Sequence, residues 1–117
     1  MSWTKLKLKK CISPSGELFV IESSFERAFF VFCEDDGGGH AHKECTQILV
    51  PVRGEIKIML QDGEKRETIV LSDPEDALVV YPMTWLEYFP VKDSVLLVFC
   101  SHKYNENEYI RDRSALS

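Results

Sequence analysis

Apolar residues along this chain come in short runs or strict alternation, and turn-forming clusters interrupt them before any run is long enough for a core helix. Ile56, Ile58 and Leu60 alternate with Glu55, Lys57 and Met59, the period of a strand with one covered face. Further strands are expected over residues 18–21, 29–32, 47–52, 68–71 and 78–81, and over 95–100, where every position is apolar, as in a strand covered on both faces. Lys5, Lys7, Lys9 and Lys10 interleave with apolar residues and read as the wet face of an N-terminal strand. Turn signals separate these segments at Ser13-Pro14-Ser15-Gly16, Asp35-Asp36-Gly37-Gly38-Gly39, Arg53-Gly54 and Ser72-Asp73-Pro74. Gln61-Asp62-Gly63-Glu64 reads as a hairpin turn with Gly63 supplying positive φ. The one helical segment expected is a short C-terminal turn within 104–111, outside the sheets. Many short strands between regular turns predict an all-β sandwich or barrel.

Composition narrows this without changing it. The chain has 117 residues, the size of one domain, so residues 1–117 are expected to form a single domain. With 44% hydrophobic and 28% charged residues, it has the profile of a globular protein and not of a disordered chain. A net charge of -5 argues against nucleic acid as a partner, since phosphate binding needs a basic face. No long apolar run and no export pattern are present, so no membrane association is expected and a cytoplasmic location is. The four cysteines, Cys11, Cys33, Cys45 and Cys100, lack close metal-type pairing and read as reduced packing thiols.

The segment that points to chemistry is His40-Ala41-His42. In a strand, alternate side chains share a face, so both imidazoles project together and Ala41 projects away. Imidazole titrates near neutrality and can serve as base and then acid, while a His-x-His in a strand taken alone equally fits a structural or solvent-exposed pair. Gly37-Gly38-Gly39 just before them permits a close approach of backbone to a ligand or a neighbouring strand. His102, just past the strand at 95–100, is expected to be exposed.

Four residues separate His42 from Gln47 and six separate Gln47 from Gly54, a spacing that resembles the first cupin motif, with Gln47 in place of its Glu. The longer string His40-Ala41-His42-Lys43 with Gln47-Ile48-Leu49-Val50 resembles the sugar nucleotide 3,4-ketoisomerases, the WxcM-like cupins. The likeness continues through Gly54, Leu60-Gln61-Asp62-Gly63, Pro82, Trp85 and Tyr104 to Arg111. The resemblance implies a single-domain cupin, a jelly-roll β-barrel. It also implies a homodimer with exchanged N-terminal strands, a small-molecule nucleotide sugar as partner, and no cofactor. The reaction implied moves the carbonyl of a TDP-linked 4-keto-6-deoxyhexose from C4 to C3, through an enediol, for the deoxysugars of bacterial surface glycans. The resemblance makes His40 and His42 the catalytic pair, either one the base and the other shuttling or orienting protons, and Arg27, Gln47, Arg53 and Trp85 are expected to bind the ligand, with Trp85 at the pocket mouth.

No metal is expected, because an amide oxygen replaces the cupin carboxylate and no second-motif His appears near Pro82; what remains for a weak site is His40, His42 and Glu87. Three positions depart from the family pattern: Gly37 stands for an Arg, Phe29 or Phe30 for a Tyr, and Leu86 for a His. These losses leave a second reading, a non-catalytic cupin that binds a small sugar or nucleotide.

Overall fold

In the computed structural model, which describes residues 2–116, the chain folds almost entirely into antiparallel strands. In chain order these are β1 (Trp3–Lys7), β2 (Lys9–Ser13), β3 (Gly16–Val20), β4 (Arg27–Phe32), β5 (Gly37–His42) and β6 (Gln47–Arg53). They continue with β7 (Ile56–Gln61), β8 (Arg66–Leu71), β9 (Asp76–Val80), β10 (Trp85–Pro90), β11 (Val95–Cys100) and β12 (Tyr109–Ile110). One five-stranded sheet runs β1-β9-β6-β11-β4, a second runs β12-β5-β10-β7-β8, and β2 with β3 forms a separate hairpin.

Side chains from the inner faces of the two sheets meet in one core. Leu49, Leu78, Leu96 and Val98 come from the first sheet, and Ile56, Ile58, Leu60 and Leu86 from the second. The alternation read in β7 is what buries Ile56, Ile58 and Leu60 completely while Lys57 stays in water. Met59, on the outer face, is buried as well, beneath Trp85 and Leu116. β11 has the two covered faces its apolar sequence requires: Leu96 and Val98 point to the core, while Leu97 and Phe99 join an outer cluster with Ile48, Val50 and Phe19.

Three local expectations change. The basic N-terminal segment is not one strand: Leu8 is buried, its N–H donates to Glu75 O at 2.8 Å, and the chain turns there from β1 into the hairpin. The turn after β7 does not place Gly63 at positive φ. Asp62 instead accepts the backbone N–H groups of Glu64 and Lys65 at 2.7 and 2.8 Å, so a side-chain acceptor shapes the loop. The C-terminal tail forms 3₁₀ turns at Glu106–Glu108 and Arg113–Leu116, but between them β12 joins the second sheet. That strand takes the tail from the periphery to the site.

Candidate active site

β5 positions the histidines. Gly38 and Gly39 have φ of +83° and +78°, a backbone region unfavourable to other residues. At Gly38 there is no room either, since a Cβ would lie 2.7 Å from Leu86 O and 3.1 Å from Glu87 Cα. The close approach coincides with an irregularity in the β5–β10 register between Leu86 and Glu87. Beyond it, His40 and His42 lie on one face with ring centroids 5.1 Å apart and planes at 87°.

β12 closes over that pair. Tyr109 lies opposite His42 in the ladder, and its ring is 5.0 Å from that of His40 and 4.5 Å from that of His42. Arg27, at the start of β4, donates from Nη1 to the Tyr109 hydroxyl at 3.2 Å and lies over the Phe29 ring. Glu108 Oε2 bonds His42 Nδ1 at 2.5 Å, and its Oε1 accepts the backbone N–H groups of Glu44 and Cys45 at 2.9 and 2.6 Å. Burial pushes the Glu108 carboxyl up, but hydrogen bonds from His42 and these two N–H groups outweigh it and hold the group below its ordinary range. A carboxylate only accepts, so Nδ1 is the donor and, in the neutral ring, Nε2 of His42 carries the lone pair. That nitrogen is buried without a hydrogen-bond partner among the described residues.

His40 faces a cavity of about 80 Å³. Burial, then the neighbouring His42 and Arg111, lower its pKa to about 4, so its ring is neutral at pH 7. Gln47, Tyr88 and Tyr109 are the other polar side chains of the lining; Phe29, Val31, Leu49, Leu86, Leu96 and Val98 form the apolar wall. Gln47 is buried and donates from Nε2 to Cys100 Sγ at 3.8 Å.

Among the residues expected from sequence, His40 and Gln47 line this cavity, while His42 sits behind it against Glu108 and Arg27 behind Tyr109. Trp85, expected at the mouth, is buried on the opposite face of its sheet with Ala41 and Met59, because its neighbour Leu86 takes the inward position. Arg53 is exposed at the far end of β6, its Nε bonding Asp93 O at 3.3 Å; at about 3.3 Å per residue the length of that strand puts it roughly 20 Å from Gln47. Glu87 accepts from Trp85 Nε1 at 3.2 Å on the outer face, so it does not converge with the histidines. Of the two candidate phenylalanines, Phe29 lines the cavity and Phe30 is 60% exposed. His102 is exposed, as expected. Glu108, Tyr109 and Tyr88 were not singled out for the site by sequence.

Comparison with known proteins gives the arrangement its relatives. A 3,4-ketoisomerase from Helicobacter canadensis superposes with a TM-score of 0.92 at 30% identity, over 99% of this chain and 95% of that one. QdtA, a sugar 3,4-ketoisomerase from Thermoanaerobacterium thermosaccharolyticum solved in complex with TDP, gives a TM-score of 0.91 at 30% identity, over 98% and 91%. A TDP-4-oxo-6-deoxy-alpha-D-glucose-3,4-oxoisomerase from Aneurinibacillus thermoaerophilus is 34% identical, over 91% of this chain and 84% of its own length. The model of the FdtA family, described as WxcM-like, C-terminal, matches residues 1–117. A sandwich of this topology, with a His pair beside a small cavity and a match along its whole length, makes this chain a member of the WxcM-like, C-terminal family.

Proposed function

We propose that this protein is a sugar nucleotide 3,4-ketoisomerase acting on a TDP-linked 4-keto-6-deoxyhexose, with His40 as the base. The observation that carries the reading is the His40 imidazole, kept neutral by burial and facing a cavity that it shares with three other polar side chains. His40 takes the hydrogen of C3 as a proton, and the electron pair left on C3 moves toward the C4 carbonyl to give an enediolate. A proton delivered to C4, with transfer of the O3 proton to O4, completes the 3-keto product. No electrons enter or leave, so the reaction needs no redox partner. The His42–Glu108 pair behind His40 orients the site, as carboxylates orient imidazoles in other acid–base machinery.

The size of the cavity decides how such a substrate lies. At about 80 Å³ it falls well below the roughly 300–1,000 Å³ of whole-ligand pockets, so it takes only the sugar end, and the diphosphate and base lie outside it. The apolar wall, with Phe29 and Leu86 in it, favours binding without turnover as the second reading.

Incubation with TDP-4-keto-6-deoxyglucose in heavy water separates the two. Isomerisation gives a 3-keto product with deuterium at C4 and exchange at C3 of the remaining substrate. Folded protein that yields neither, yet is stabilised against heat by the same compound, is the binding module.

The hairpin of β2 and β3 supports a homodimer with exchanged N-terminal strands. Its ladder pairs with no other strand among the described residues, and Ile12 and Leu18 on it are 78% and 61% exposed. Such apolar exposure on a two-stranded ribbon, which is marginal alone, suits a surface covered by a second copy. Among the described residues no helix is long and apolar enough to cross a membrane.

A further inference from the structure

We propose that Tyr88 is a substrate-binding residue whose hydroxyl donates to the carbonyl oxygen of the sugar, and that Gly37 is glycine in order to admit it. The assignment rests on the isomerase reading and names a contact within that same cavity.

Three observations carry it. First, Tyr88 lies on the inner face of β10, lining the cavity with His40, and its hydroxyl has no hydrogen-bond partner among the described residues. Each other polar side chain of the lining already has a protein contact: Tyr109 accepts from Arg27, Gln47 donates to Cys100, and the His40 ring packs edge-on against His42. A phenol in a partly buried apolar setting normally finds a partner, and one left without it is free for a ligand.

Second, Gly37 pairs directly with Tyr88 in the β5–β10 ladder, and a Cβ built on it would overlap Cζ and Oη of the phenol and lie 2.7 Å from Cε2. Gly37 does not have positive φ, so its backbone conformation is open to any residue. What glycine provides there is space, and the Tyr88 ring end occupies it.

Third, the charge state is right. Burial, and then the nearby Cys33 thiol, raise the phenol above its ordinary range, so it keeps its proton at neutral pH and is a donor. Proton loss from C3 builds negative charge on the carbonyl oxygen, and a donor already in place stabilises that charge without rearrangement.

The experiment compares wild type, Tyr88→Phe and Gly37→Ala for kcat/KM with TDP-4-keto-6-deoxyglucose and for calorimetric affinity toward that compound and toward TDP. Tyr88→Phe is expected to lower kcat/KM by about a hundred- to a thousandfold, the range for loss of one oxyanion donor. Its affinity for TDP should be unchanged, because the nucleotide lies outside the cavity. Gly37→Ala keeps the phenol and moves it, and should lower kcat/KM by up to about a hundredfold, again without effect on TDP. Because the displaced atoms are the free end of a side chain, this variant tests the idea even if Tyr88→Phe folds poorly. An active wild type whose Tyr88→Phe and Gly37→Ala variants turn over at wild-type rates overturns the assignment and leaves the isomerase reading standing. A wild type that neither converts nor binds the sugar nucleotide overturns both, and the failure is then seen in the parent and not in the variants.

Discussion

The two sheets contribute to the cavity in very different ways. The β1-β9-β6-β11-β4 sheet brings Phe29, Val31, Leu49, Leu96 and Val98, with Gln47 its single polar side chain there. The β12-β5-β10-β7-β8 sheet brings His40, Tyr88 and Tyr109 beside Leu86, with His42 behind them and Glu108 on the 3₁₀ turn that leads into β12. One sheet holds the titratable groups and the other is the medium they work in. The lesson is that hydrocarbon opposite a titratable group sets its charge: burial is the largest cause of the low pKa of His40, and that keeps the imidazole unprotonated.

This division can be broken from either side. The largest effect is expected on the chemical side: His40→Asn should lower kcat by about a hundred- to ten-thousandfold, the usual worth of general acid–base help. Its thermal midpoint at pH 7 should barely move, and steady-state kinetics with a melting curve at that pH reads both. Equal loss of stability would mean that the imidazole is a packing group. On the opposite wall, Leu96 is 1% exposed, and Leu96→Ala should cost about 2–5 kcal/mol in a urea titration. A cost near zero would show the wall to be loosely packed.

The smallest effect is a pH dependence that joins the sides. His40 has a pKa of about 4 when folded against 6.5 for a free imidazole. Between these values the unfolded chain binds more protons than the folded one, so the His40 contribution to stability is full above pH 6.5 and is lost as pH falls toward 4. His40→Asn should therefore flatten the stability curve across that window. An identical acid limb in wild type and variant would mean that the wall does not desolvate the ring.

Much of the architecture could be read before any coordinates. β11 coincides with the run of apolar residues at 95–100, and β7 with the alternation around Ile58, because a covered face leaves a period in the sequence. The shared face of His40 and His42 follows from the same rule. The rule carries direction along one strand and no distance or parity between strands. Gln47 and Arg53 have the same parity along β6, but they sit at its opposite ends and the β6–β11 register shifts between them, setting Gln47 opposite Cys100 and Arg53 opposite Val95. Likewise, only the register of Leu86 with His40 decides that Leu86, not Trp85, faces inward. Glu108 and Tyr109 were harder still. The Glu108–His42 contact spans 66 positions, and the strand that delivers it has two residues, too few to show any period.

That long span has a consequence for how the protein comes into being. A ribosome makes His42 66 residues ahead of Glu108, so for that stretch of synthesis the growing chain holds the imidazole without its carboxylate. The working arrangement is complete only once the tail lays β12 against β5.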